Sequence, residues 1–179
     1  SFQTDPATGK YSILANGTAL DSGDLLGTLK AALDSANAPA DLELDGDAST
    51  KRGIPYYQMA LDNLAQTFAT EMNKLNDTGL EGAGALFSNS SSGNATDNIT
   101  AANISVSYDW ANDKVSIQAT ADPNAPSGDT SRLAEFLNLF NREDISFDPG
   151  NINAGAAGNS YVGSFEDMLL RIQSTLAED

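Results

Sequence analysis

The longest run of helically spaced apolar residues in this chain lies between Gly53 and Gly79. Apolar residues recur there at intervals of three and four, which puts them on one face of a helix. Pro55 is tolerated in a first helical turn, and Gly79 suits a left-handed position after the last one. The pattern predicts a helix over about 54–77, whose apolar face is formed by Tyr57, Ala60, Leu61, Leu64, Ala65, Phe68, Met72 and Leu75.

Three shorter segments show the same spacing and predict helices over about 24–36, 130–141 and 164–178. In the last of these, Ser164 and Asp167 have the spacing of a capping box. Its apolar stripe contains Phe165, Met168, Leu169, Ile172 and Leu176. The candidate caps of the other two helices are Asp21, Ser22 or Asp24, and Asp129 or Thr130.

Alternation of apolar and polar residues, the pattern of a half-buried strand, occurs in two regions. Tyr11 to Ala15 form a short predicted strand, and Asn16-Gly17 after it is a turn signal. Residues 104–119 predict a hairpin that turns at "AND", inside an insertion over about 79–127 that begins as a Gly-, Ser- and Asn-rich loop. An isolated hairpin is marginal in water, so we expect its apolar face to pack on the helices.

Together these elements predict one α+β core domain over 1–179. It would be a bundle of about four helices with an antiparallel β-hairpin or small β element packed on it. The helical stripes are either core or a docking face for helices outside this sequence. The residues expected on this core or assembly face are Tyr57, Leu61, Leu64, Phe68, Met72, Leu75, Phe165, Leu169 and Ile172.

Composition narrows the possible chemistry. The formal net charge of −16 and the pI of about 4.1 argue against binding to nucleic acid or to an anionic membrane surface. The chain has no Cys and no His, which excludes disulfides, zinc sites built from those residues and Ser-His-Asp triads. Catalysis would have to rest on carboxylates, Lys or Tyr. We expect no cofactor and no enzymatic activity.

The segment "DLELDGDASTKR" nearly matches a calcium-binding loop. Asp41, Glu43 and Asp45 stand at ligand positions, and Gly46 stands at the sharp turn. The twelfth position, which needs a bidentate Glu, is Arg52. We therefore interpret the segment as a solvated acidic connector and predict no metal site.

Two carboxylate pairs, Glu143/Asp144 and Glu166/Asp167, are the candidate acid and base of a hydrolase. That chemistry needs two carboxyl groups across a cleft, one of them in an apolar pocket. Neighbouring residues on a polar stretch rarely meet this requirement, so we assign no catalytic residues.

Tyr108 and Trp110 allow two interpretations. They are either the buried face of the predicted hairpin or a platform on which a sugar ring stacks. The second interpretation, together with the acidic connector, gives an alternative function: a bacterial surface module that binds glycan or calcium without enzymatic activity.

Several longer segments follow one another in a specific order: "GDLLGTLKAALD", "LDNLAQTFATEMNKLNDTG", "GALFS", "AANISVS", "GDTSRLAEFLNLF" and "SYVGSFEDMLLRIQSTLA". This order, over nearly the whole chain, resembles the central region of the hook-associated protein 1 family, the hook–filament junction proteins of the bacterial flagellum. The positions that carry the resemblance in the long helix are Tyr56, Tyr57, Leu61, Asp62, Leu64, Ala65, Phe68, Asn73, Asn76 and Gly79.

The resemblance implies a secreted, extracellular structural protein that is exported unfolded and assembles as a ring of subunits between hook and filament. Its partners would be further copies of itself, the hook protein, the second hook–filament junction protein and an export chaperone. It also implies that the family's terminal coiled-coil segments, which this sequence lacks, pack against the helices predicted here. The opening "SFQTDPATGK", without a starting Met, fits an internal piece of such a protein.

Overall fold

The computed structural model describes residues 1–5, 10–20, 22–37, 53–147 and 161–178. These residues form the predicted α+β fold of helices and small antiparallel sheets. The helices are α1 (Gly27–Asn37), α2 (Ile54–Asn76), α3 (Tyr108–Ala111), α4 (Ser131–Leu139) and α5 (Phe165–Glu178). The strands are β1 (Phe2–Thr4), β2 (Tyr11–Ala15), β3 (Thr18–Leu20), β4 (Phe87–Ser88), β5 (Ser105–Val106), β6 (Ile145–Phe147) and β7 (Tyr161–Gly163).

The first three strands form an antiparallel sheet in chain order. The turn between β2 and β3 has a positive φ at both Asn16 (51°) and Gly17 (81°), as a type I′ turn requires. The predicted strand and turn are therefore confirmed. The side-chain amide of Asn37 accepts from the N–H of Tyr11 and donates to its carbonyl, each at 2.7 Å, and this ties the end of α1 to the sheet.

Helix α1 begins slightly later than the sequence pattern predicts. Ser22 and Asp24, two of its candidate caps, lie in a 3-10 turn that precedes the helix. The third candidate, Asp21, lies outside the described residues, as does 38–52 with the near-match to a calcium loop.

The long helix α2 agrees closely with its predicted range. Gly53 is its N-cap, and Pro55 lies in its first turn. At its end the N–H of Asp77 donates to the carbonyl of Asn73 at 2.9 Å. Gly79 follows with a φ of 73°, so the left-handed glycine is confirmed, although it lies beyond the cap residue.

The main hydrophobic core joins α2 to α4, α5 and the β6–β7 ladder. Strands β6 and β7 pair antiparallel, and this pairing places the end of α4 near the start of α5. From α2 the core receives Tyr56, Met59 and Ala60. Its other buried members are Leu139, Ile145, Phe147, Phe165 and Met168.

The buried positions of α2 differ in part from the apolar stripe that the sequence shows. They include Asn63 and Thr67, whose side chains hydrogen-bond each other at 3.2 Å. Because this bond pairs some of their polar atoms, burying Asn63 and Thr67 costs less free energy than burying unpaired polar side chains would. Leu61 is 43% exposed. The other large residues of the stripe are partly buried against the core: Tyr57, Leu64, Phe68, Met72 and Leu75.

The predicted hairpin over 104–119 is wrong. Strand β5 pairs antiparallel with the distant β4, so that Val106 lies opposite Phe87. Residues 115–119 form no strand. The pairing joins segments that are far apart in sequence, and local alternation carries no information about such a partner.

A short helix replaces the second half of the predicted first hairpin strand. The buried Ser107 caps α3, because its Oγ accepts from the N–H of Trp110 at 3.2 Å. The same hydroxyl donates to the carbonyl of Ala85 at 2.5 Å. Tyr108 and Trp110 therefore lie on a helical turn instead of alternating along a strand.

Polar side chains of α2 hold the irregular segment 80–118 in place. The Asp62 carboxylate accepts from the N–H of Ala101 at 2.9 Å, and the Gln66 side chain accepts from the N–H of Ile99 at 2.8 Å. Asp62 and Gln66 are four residues apart, so they share one side of the helix. These bonds fix the backbone of the segment where it has no strand partner.

Two asparagines hold the same segment near the end of α2. The Asn73 side chain accepts from the N–H groups of Leu86 and Phe87 and donates to the Phe87 carbonyl, all at 2.8 Å. Asn76, which is fully buried, makes three further bonds to backbone groups, at 2.8, 2.9 and 3.0 Å. Each amide uses both its donor and its acceptor, as a paired strand would.

The starts of α4 and α5 use carboxylates in two ways. At α5 the predicted capping box is confirmed: the N–H of Asp167 donates to Ser164 Oγ at 3.0 Å, and the N–H of Ser164 donates to the Asp167 carboxylate at 3.1 Å. At α4, Thr130 is the N-cap without a side-chain bond, and Asp129 accepts from the N–H of Ser131 at 3.0 Å.

Candidate interaction groove

An open apolar groove lies between α2, the end of α4, the start of α5 and residues 101–104. Its volume is about 570 Å³. Large hydrophobic side chains form its walls and remain accessible to solvent, which marks a surface for an interaction partner. The lining residues are Leu61, Leu64, Ala65, Phe68, Ala101, Ile104, Phe140, Asn141, Phe165, Glu166 and Leu169.

The α2 wall of the groove belongs to a longer stripe with alternating intervals of four and three residues. This is the heptad spacing of a helix that packs along another helix, because it keeps one seam facing the partner. The stripe runs over almost the full length of α2. Its members are Ile54, Gln58, Leu61, Ala65, Phe68, Met72 and Leu75.

Helix α5 forms a second wall at Phe165 and Leu169, and its apolar stripe continues beyond the groove with the same spacing at Ile172 and Leu176. Phe165 is buried in the core, and Ile172 packs partly against it. Leu169 is 51% exposed and Leu176 is 63% exposed. Of the residues predicted for a core or assembly face, Leu61 and Leu169 are thus outside the core of the described residues, and both line the groove.

A smaller apolar cavity of about 230 Å³ lies at the N-terminal end of the same α2 stripe. Ile54 and Gln58 line it from α2, Leu33 lines it from α1, and Tyr11 and Ile13 line it from β2. Both apolar openings therefore follow one line of side chains along α2.

Exposed apolar surface continues from the groove onto α4. Leu133, Leu137 and Phe140 are spaced at i, i+4 and i+7, so they share one side of that helix. Phe140 lines the groove, and Leu137 is 75% exposed. The spacing of these residues in the sequence does not by itself tell which side of α4 the core covers.

The charged groups at the groove are acidic. Glu166 lies in the α5 wall and is exposed. Asp62 follows Leu61 on α2 and does not itself line the groove, but its carboxylate accepts from the N–H of the lining residue Ala101 at 2.9 Å. None of the described residues that line the groove is Lys or Arg.

The two carboxylate pairs lack the features of a catalytic acid and base. The Arg142 guanidinium donates to the Asp144 carboxylate at 2.8 and 3.2 Å, and this lowers the pKa of Asp144. Hydrogen bonds from Ser164 lower the pKa of Asp167. A general acid at neutral pH needs a raised pKa, so both shifts have the wrong direction. The other member of each pair is exposed.

The two aromatic residues of α3 have separate surroundings. Trp110 is half-buried and meets the Phe87 ring edge to face, with 5.8 Å between ring centroids. Tyr108 is exposed, and the Lys114 ammonium group lies 5.4 Å from the centre of its ring. Trp110 thus acts as a packing residue of the β4–β5 region.

The described ranges contain no group of three or more acidic side chains placed to hold a metal ion. Asp41, Glu43 and Asp45, which stand at the ligand positions of the near-match to a calcium loop, lie outside those ranges. No helix in the described part of the chain is long and apolar enough to cross a membrane.

Comparisons of the chain with protein-family models, with curated proteins and with solved structures find no match. The features of this chain that bear on its function are therefore the groove and the resemblance in the sequence.

Proposed function

We propose that this chain is part of a structural protein of the bacterial flagellum, secreted and extracellular, that joins hook to filament as a ring of subunits. One observation carries this proposal. Helices α2 and α5, which bear much of the sequence resemblance, carry heptad-spaced apolar stripes of which Ile54, Leu61, Leu169 and Leu176 are exposed to solvent. Exposed apolar residues at this spacing are typical of a surface that another helix covers.

The partners of this protein follow from the same proposal. Self-association in the full-length protein, through terminal coiled-coil segments that pack on α2, is one source of a covering helix. The hook protein, the second hook–filament junction protein and an export chaperone are the other expected partners. Each binds protein surface, and the formal net charge of −16 disfavours binding of this chain to nucleic acid.

The polar groups of the described residues support a scaffold without enzymatic activity. Asp167 caps α5, and Asp144 pairs with Arg142, which also donates to Glu71 of α2 at 2.7 Å. Asn73 and the neighbouring polar side chains of α2 hold backbone groups in place. These side chains are therefore occupied with structural contacts.

The proposal is tested by binding of the full-length protein to isolated hooks in a sedimentation assay. We expect the native protein to sediment with hooks and a Leu169→Gln variant to remain largely in solution. Leu26→Gln is the matched control, because Leu26 is 88% exposed and does not line the groove. Absence of hook binding by the native protein would refute the proposal.

A further inference from the structure

We propose that the groove between α2 and α5 receives an amphipathic helix of a partner polypeptide, and that Lys or Arg residues flank the apolar face of this helix. The inference rests on the proposed function, because it names the partner of the same surface. It adds the chemistry of that partner: its secondary structure, the size of its central apolar residue and the sign of its charge.

The shape of the groove identifies a helix as the occupant. The α2 wall presents Leu61, Ala65 and Phe68 at intervals of four and three, and the α5 wall presents Phe165 and Leu169 at an interval of four. A helix that runs along the groove matches this spacing. Ala65 is the small residue of the α2 wall, between Leu61 and Phe68. A large apolar side chain of the occupant therefore fits opposite Ala65.

The charges at the edges identify the flanks of that helix. Asp62 directly follows the seam residue Leu61, and Glu166 directly follows the seam residue Phe165. Residues at this heptad position face the flanking positions of the partner helix, where opposite charges favour pairing. Both are acidic, Glu166 lines the groove and Asp62 bonds to the lining residue Ala101, and no described lining residue is basic, so cations on the occupant complement these charges.

A second copy of this chain is the competing occupant, and its charge disfavours it. Each chain carries a formal net charge of −16. Packing α2 or α5 of one copy into the groove of another would place Asp62 and Glu166 against carboxylates of the same kind. Like charges at such positions are destabilising, so the partner has a different sequence.

The probe for this inference is a pair of designed peptides of about three heptads with Leu at the seam positions. One carries Lys at both flanking positions and the other carries Glu there. Fluorescence anisotropy at physiological salt measures the dissociation constant of each peptide for the native chain. We expect the Lys peptide to bind more tightly than the Glu peptide by a factor of ~10 or greater, since several flanking pairs change from attractive to repulsive. A Lys peptide of scrambled order, without an apolar face, measures attraction to the net charge alone and should bind weakly.

Variants of the chain locate the binding. Leu169→Gln should weaken binding of the Lys peptide ~10-fold or more, because one leucine contact is lost. Leu26→Gln should leave the dissociation constant of this peptide unchanged. Glu166→Gln should weaken binding of the same peptide roughly 2- to 5-fold. Glu81→Gln removes an exposed carboxylate outside the groove and should leave the binding unchanged. All four positions are exposed, so the fold tolerates the substitutions.

Three results would overturn the inference. These are equal binding of the Lys and Glu peptides, no effect of Leu169→Gln on the Lys peptide, and self-association of the native chain that Leu169→Gln abolishes. If hooks bind while the peptides are not discriminated, the inference fails and the proposed function stands. If the peptide results hold while hooks do not bind, the proposed function fails and the inference stands.

Discussion

At the scale of single residues, Asn73 shows how a side chain replaces a strand partner. Its amide satisfies both N–H groups and one carbonyl of the chain around Leu86 and Phe87. The sequence gives no sign of this role, because an asparagine on the polar side of a helix normally faces water. Only the folded backbone shows which groups lie within reach.

The Asn73→Ala substitution should lower the free energy of unfolding by about 2–4 kcal/mol, because it removes three hydrogen bonds and leaves backbone N–H groups unpaired in a partly buried place. Urea denaturation followed by circular dichroism measures the change. Lys74→Ala, at the exposed neighbouring position, should change the value by no more than ~0.5 kcal/mol. Equal effects of the two substitutions would show that the amide bonds contribute no net stability.

Asp167 predicts a pH dependence of stability with a definite sign. Hydrogen bonds from Ser164 lower the pKa of Asp167 below its ordinary value of 3.8, so the folded chain holds this proton less tightly than the unfolded chain. The resulting stability is present above about pH 4 and is lost as the pH falls through the folded pKa. The stability difference between the native chain and Asp167→Asn should therefore shrink below about pH 4. Thermal unfolding across pH 2–6 measures it, with Glu166→Gln as control; a constant difference would contradict the prediction.

At the scale of elements, local signals were sufficient where a local cause determines the structure. The Asn16-Gly17 turn, the length of α2 and the Ser164–Asp167 capping box follow from backbone preferences and short-range hydrogen bonds. The hairpin over 104–119 failed because β5 pairs with β4, and the capping serine Ser107 redirects the chain. The β4–β5 pairing joins distant segments, and periodicity reports only on neighbours. The Ser107 cap is a local contact, but the alternating pattern around it favoured a strand.

Phe68 tests how far the α2 stripe belongs to the core. Its ring is half-buried and lies 5.1 Å from the ring of Phe87, 6.1 Å from that of Phe165 and 6.3 Å from that of Phe140. We expect Phe68→Ala to lower the free energy of unfolding by about 2 kcal/mol, less than full burial would give, and Leu139→Ala to lower it by about 3–4 kcal/mol. Chemical denaturation of both variants measures the two losses in free energy of unfolding. A larger loss for Phe68→Ala than for Leu139→Ala would contradict the placement of Phe68 in an open groove.

At the scale of the whole molecule, the sequence predicted an apolar face but could not divide it into core and groove. The predicted apolar faces of α2 and α5 hold residues that pack inside, such as Phe165, and residues that stay exposed, such as Leu61 and Leu169. The division depends on where α4 and residues 101–104 lie against α2, and that arrangement follows from the non-local contacts. Exclusion of His- and Cys-based chemistry needed only the composition.

The central claim is that a helix covers the groove in the assembled protein, and the accessibility of position 169 tests it most directly. The chain has no Cys, so Leu169→Cys introduces a unique thiol whose reaction rate with a maleimide reports exposure. We predict rapid labelling of the isolated chain and labelling ~10-fold or more slower in the full-length protein bound to hooks, while Leu26→Cys reacts rapidly in both states. An unchanged rate at position 169 in hook-bound protein would contradict the account.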